Sequence, residues 1–120
     1  MVEESGVEYP TITVRGKTLT VKFDLRAQLL LSRQKIDLRH PPAAGSPEYL
    51  DHRMAVFAAC VAHEYPKGEA PDAEYWAGAI GLYGYPEMER VIGVSGGKAE
   101  EELRKGLQVV DPPKPINLAS

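Results

Sequence analysis

Three short stretches of the chain hold residues whose types and spacing invite chemistry. Gly93-Val94-Ser95-Gly96-Gly97 matches G-x-S-x-G, the turn that lifts a nucleophilic serine above the sheet of an α/β-hydrolase. That turn needs a buried strand before it, and only Arg90-Val91-Ile92 precedes it here. It also needs a histidine later in the chain, whereas His40, His52 and His63 all come before Ser95. Gly96-Gly97-Lys98-Ala99 has the look of a phosphate-binding loop, but Ile92 stands where the motif needs its first glycine. Ala99 stands where a hydroxyl must reach magnesium. Cys60, His63 and Glu64 fall within one helical turn and could begin a metal site. His52 is eleven residues from His63, about 16 Å along a helix, too far to share the ion. With no second cysteine, a buried Cys60 and a helix-end His63 are the better reading. The sequence therefore predicts no catalytic residue, no cofactor and no metal, and Gly93 to Gly97 reads as a flexible turn.

The elements that would position a site are clearer. Thr11-Ile-Thr-Val-Arg-Gly-Lys-Thr-Leu-Thr-Val-Lys-Phe-Asp24 alternates apolar residues with threonine and lysine on either side of a glycine. That pattern predicts an antiparallel hairpin over about residues 11–23. A two-residue type II′ turn at Gly16-Lys17 would set Val14 opposite Leu19 and Ile12 opposite Val21. Asp24 should cap a helix from Leu25 to about Lys35–Asp37. Ser46-Pro47-Glu48 should start a second, running to about Glu64, and Asp72 a third through Trp76, Ile80 and Tyr83. Gly78 and Gly81 mark close packing or a kink. Gly84-Tyr85-Pro86 reads as a break, followed by a short helix to about Ile92 and a last one from Lys98 to Val110. The expectation is one α+β domain, the hairpin packed on four to five helices. Residues 1–9 form an arm, residues 10–110 the body and residues 111–120 a proline-rich extended tail. Phe23, Leu25, Leu29, Leu50, Met54 and Phe57 are the expected core. Tyr83 and Tyr85, with Leu103 and Leu107 on the last helix, are the candidate partner contacts.

Composition limits the function classes. The 120 residues are 43% hydrophobic and 26% charged, with one cysteine and a net charge of −3. That suits a globular domain without a disulfide framework. No apolar run reaches the roughly 18 residues of a membrane span, and the acidic start is unlike a signal peptide. Residues 15–39 hold seven Lys/Arg against Asp24 and Asp37, while the rest holds seven against fifteen Asp/Glu. Such asymmetry can drive self-association. Nucleic acid is not an expected partner, because no aromatic residues interleave with the basic ones.

The segment from Val14 to Ala27, with Arg-Gly-Lys at the turn and Val-Lys-Phe-Asp-Leu-Arg-Ala entering a helix, resembles the small tail assembly chaperones of long-tailed bacteriophages. The resemblance implies a non-enzymatic protein in the cytoplasm of the infected or lysogenic bacterium. It would bind the tape-measure protein while the tail tube protein polymerises around it. It also implies a longer frameshifted product, for which the codons of Gly97-Lys98 or Pro113-Lys114 would supply the slippery site. A structural virion component, such as a head–tail connector or minor tail protein, is the first alternative, and a small hydrolase using Ser95 the second. A holdase needs exposed apolar surface, and the outer edges of a lone hairpin could pair with a second chain to give a homo-oligomer.

Overall fold

In the computed structural model, which describes residues 8–109 and side chains as far as Lys105, the hairpin comes first and three α-helices follow. Strands β1 (Thr11–Val14) and β2 (Lys17–Thr20) pair antiparallel. The turn is not the one expected. Its central residues are Arg15 and Gly16, at φ 52° and 80°, the two positive angles of a type I′ turn. The glycine thus takes the second central position, and Arg15 accepts a left-handed conformation that costs roughly 1–2 kcal/mol. The Arg15 guanidinium lies 5.2 Å from the centre of the Tyr75 ring, which offsets part of that cost.

Register moves with the turn. Ile12 faces Leu19 and Val14 faces Lys17, in place of Val14 opposite Leu19. The slip is two residues, so no side chain changes face. Ile12, Val14, Leu19 and Val21 remain together in the core, and Thr13 and Thr18 face each other outside, their hydroxyl oxygens 3.0 Å apart.

Each helix starts where its cap predicts. The side chains of Asp24, Ser46 and Asp72 accept hydrogen bonds from the backbone N–H of Ala27, Tyr49 and Tyr75. Helix α1 (Leu25–Arg33) ends through Lys35 at φ 63°, with Ile36 N–H donating to the Leu31 carbonyl. Helix α2 (Pro47–Val61) runs into a short 3₁₀ turn at Ala62–Glu64. Helix α3 (Ala73–Val109) replaces three expected helices, so the domain is α+β with three helices rather than four to five. Its one interruption is Gly81, at φ 66° and ψ −178°.

Two expected breaks are absent. Residues 84–86 and 93–97 are both helical. Met88, Val91, Ile92 and Ser95 are buried on one stripe, and burying that stripe outweighs a helical cost of about 1 kcal/mol per glycine. Gly96 lies beside the Phe23 ring, where a Cβ would make only an ordinary contact at 3.5 Å.

The core is built on α2, whose Val56, Phe57, Cys60 and Val61 are fully buried, with Leu31, Trp76, Met88 and Val91 around them. Met54 and Phe57 are core residues as expected, and Phe23 is half-buried against them. Leu25, Leu29 and Leu50 are not. They are 75%, 50% and 47% exposed. Helix α1 carries apolar residues on two faces, and the one that packs holds Ala27 and Leu31. The expected arm falls largely, and the expected tail wholly, outside the described residues.

Candidate functional site

The Ser95 hydroxyl is taken up in structural hydrogen bonds. The residue lies within α3 and is fully buried. Its hydroxyl donates to the Val21 carbonyl at 2.7 Å and accepts from the Phe23 N–H at 2.6 Å. Ser95 therefore ties α3 to the backbone between β2 and α1.

The Cys60 cluster is also occupied structurally. His63 Nε2 donates to the Thr20 carbonyl at 2.7 Å, and the Glu64 carboxylate accepts from the Thr20 N–H at the same distance. Lys22 N–H donates to the Cys60 carbonyl. The 3₁₀ turn after α2 thus closes the outer edge of β2 near Thr20, and that part of the edge is not available for pairing. Among the described residues no three His, Cys, Asp or Glu side chains could hold a metal. Burial pushes the Cys60 thiol up to about 12. The native chain is therefore expected to give no reaction with an aromatic disulfide reagent at pH 8, and one equivalent of thiol in denaturant. Stoichiometric release from native protein would contradict the burial of Cys60.

A polar node that the sequence did not signal joins α2 to the longer part of α3. Arg53 Nε and Nη2 grip the Glu89 carboxylate at 2.8–3.1 Å, and the Tyr85 hydroxyl donates to the same carboxylate at 2.5 Å. Burial opposes ionisation of Glu89, but the bonds from Arg53 and Tyr85 outweigh it and hold the carboxyl below its usual range. Burial, and then the bond to Glu89, raise Tyr85, so its hydroxyl keeps its proton. Tyr49 stacks on His52 at 6.4 Å beside this node. His52 is buried with both ring nitrogens unpaired.

The node has a stability consequence with a definite sign. A carboxyl depressed on folding stabilises above its unfolded pKa, about 4.3, and loses that contribution as pH falls through the folded value. Glu89→Gln is expected to cost about 1–2 kcal/mol at pH 7 and to flatten the stability profile between about pH 5 and pH 3. Urea titrations across that range check it. An unchanged acid limb would contradict the assignment.

Several large apolar side chains remain exposed. The break at Gly81 leaves Leu82 89% exposed and Tyr83 fully exposed. Beside it, Pro47, Leu50, Met54, Ala77, Leu82 and Tyr85 line a groove of about 560 Å³ between α2 and α3, with Asp51 and Glu74 also lining it. A second groove of about 770 Å³ lies between α1, α2 and residues 65–73, floored by Ala55, Ala58, Ala59 and Ala62 and flanked by Arg26, Arg33 and Lys67. Of the expected contact residues, Tyr83 is open to solvent, and Tyr85 is half-buried in the Arg53–Glu89 node. Leu103 is 56% exposed, and the Leu107 side chain lies outside the described ones. The helix after Gly81 separates Tyr83 from Leu103 by about 30 Å, so they do not form one patch.

No helix among the described residues is long and apolar enough to cross a membrane. No protein-family model, no curated protein and no solved structure matches this chain.

Proposed function

We propose that this chain works by binding rather than by chemistry, as a phage tail assembly chaperone that holds the tape-measure protein in the host cytoplasm until the tail tube protein assembles around it. The observation that carries this reading is the apolar surface at the break in α3. Leu82, Tyr83 and Leu50 are exposed beside a groove. Burying such a side chain on a partner is worth about 1.5–3 kcal/mol. A groove with apolar anchors takes an amphipathic helix by its i, i+4 side chains without demanding one sequence. A long helical client that must stay soluble offers many such segments. The hairpin entering a helix through Asp24, on which the family resemblance rests, supports the same reading, as does the engagement of Ser95 in holding the fold together.

The test is a pair of measurements on one phage system. Affinity capture on the tagged chain during infection should recover the tape-measure protein, and mass spectrometry of purified virions should find the chain absent. Stoichiometric presence in virions would favour a connector or minor tail protein. Failure to recover the tape-measure protein would overturn the chaperone reading.

A further inference from the structure

We propose that the groove between α1, α2 and residues 65–73 is a second docking site, whose occupant is an acidic amphipathic helix of a partner protein. The site stands apart from the surface at the break in α3, and it does not depend on the identity of the client held there. The first observation is one of charge. Arg26 and Arg33 on α1, and Lys67 on the loop, line the groove. None of the three has an ion-pair or cation–π partner among the described residues. The one carboxylate among the lining residues, Asp72, is already used to cap α3. The groove therefore carries unneutralised positive charge along its sides.

Local structure holds these cations in place. Arg26 and Arg33 are two helical turns apart, so both project from one stripe of α1 at a separation of about 10 Å. Leu30 lies between them on that stripe and lines the same groove. Lys67 sits in a turn closed by the Glu69 N–H, which donates to the Pro66 carbonyl at 2.9 Å, and Gly68 takes the left-handed position of that turn at φ 84°. The floor is a stripe of α2 made of Ala55, Ala58, Ala59 and Ala62. Interaxial distance between packed helices follows the size of the side chains at the contact, and methyl groups let another helix lie close.

These features select the occupant. A guanidinium grips a carboxylate through two parallel hydrogen bonds, so paired arginines favour a partner with paired acids. A helix with Asp or Glu at i and i+7 repeats the two-turn spacing of Arg26 and Arg33, and small residues between the acids meet the alanine floor. An extended segment would lay unpaired backbone N–H and C=O groups on that floor, whereas a helix satisfies its own. The charge of the whole chain adds direction. Residues 15–39 are basic while the chain as a whole carries −3, so an acidic partner is drawn to this side and held off elsewhere.

Fluorescence anisotropy on the full chain tests this. The probe is a labelled alanine-rich peptide of about 18 residues, long enough to be helical in water, with glutamates seven apart. It should bind the natural chain at least about tenfold more tightly than the same peptide with glutamine for glutamate. Arg26→Glu combined with Arg33→Glu should weaken binding by at least about tenfold, and a lysine version of the probe should then bind that variant better than it binds the natural chain. Both positions are exposed, and a circular dichroism melt confirms that the variant is folded. Ala58→Leu should weaken binding without touching charge, by filling the floor. Leu82→Ser combined with Tyr83→Ser should leave it unchanged, which separates this site from the client's. No binding of the glutamate probe would overturn the proposal. So would equal binding of the glutamine probe, no rescue by charge exchange, full binding by a folded Ala58→Leu chain, or equal binding of a disordered polyglutamate of the same charge.

Discussion

Replacing Trp76 with alanine is expected to lower stability by about 3–5 kcal/mol, the largest effect of any single substitution in this chain. Trp76 is 2% exposed. Its ring meets Phe57 edge-on at 5.3 Å and Tyr75 at 5.0 Å, with Tyr65 at 6.3 Å. It is thus where α3 grips α2 and the loop between them. Alanine would leave a cavity bounded by Phe57, which is fully buried, and would also remove the edge-to-face contacts, each worth about 0.5–1.5 kcal/mol. Against a total of about 5–15 kcal/mol for a domain, that is a large fraction. Trp76→Phe should cost much less, about 1–2 kcal/mol, because the indole N–H has no partner to lose. Circular dichroism in a denaturant titration reads both, as Trp76 is the only tryptophan and fluorescence disappears with it. A loss under about 1 kcal/mol for alanine would mean that Trp76 does not hold the core together.

Ser95→Ala should come next, at about 2–4 kcal/mol. The substitution deletes only one oxygen, but it strands two backbone groups, the Phe23 N–H and the Val21 carbonyl. Each costs about 1–3 kcal/mol when left unpaired out of water. Hydrogen exchange separates this from a general loss of packing. The Phe23 amide should lose protection well beyond the change in global stability, while amides in the middle of α2 should follow the global value. A serine hydrolase would behave otherwise. There, Ser95→Ala would leave stability nearly unchanged, and a fluorophosphonate probe would label Ser95 in the folded protein.

The sequence was most legible where one residue's chemistry decides the local structure. Asp24, Ser46 and Asp72 each have a side-chain oxygen placed to accept from the N–H three residues on, and each cap is formed. Alternation assigned the buried face of the hairpin correctly, but glycine alone did not say which turn it serves. Gly16 suits the first central position of a type II′ turn and the second of a type I′ turn. Choosing between them needed Arg15, whose left-handed conformation is compensated by Tyr75, sixty residues away.

Longer-range effects explain the other differences. Residues 84–86 and 93–97 looked like helix ends in α3, yet only Gly81, one of the two glycines read as close packing or a kink, leaves helical geometry. The core stripe of Met88, Val91, Ile92 and Ser95 carries the helix through Gly93 to Gly97. The leucines of α1 were assigned to the core because they repeat every four residues. Ala27 and Leu31 repeat in the same way, and only the position of α2 selects between the two faces. The Arg53–Glu89–Tyr85 node joins residues 36 apart and left no local signal. The surface residues were legible only in part. Tyr83 stood out by its Gly and Pro neighbours, but the groove beside it is made by the fold.

The proposal that this chain works through its exposed apolar surface is tested most directly by co-expressing it with the tape-measure protein that the proposed function assigns to it and measuring how much of that client stays in the soluble fraction. Leu82→Ser combined with Tyr83→Ser is the comparison, since both positions are exposed and surface changes there should move stability by no more than about 0.5 kcal/mol each. The account predicts a soluble client with the natural chain and an aggregated one with the variant, at equal expression and with the variant folded. A client that is equally soluble with both chains, or insoluble with both, would contradict it.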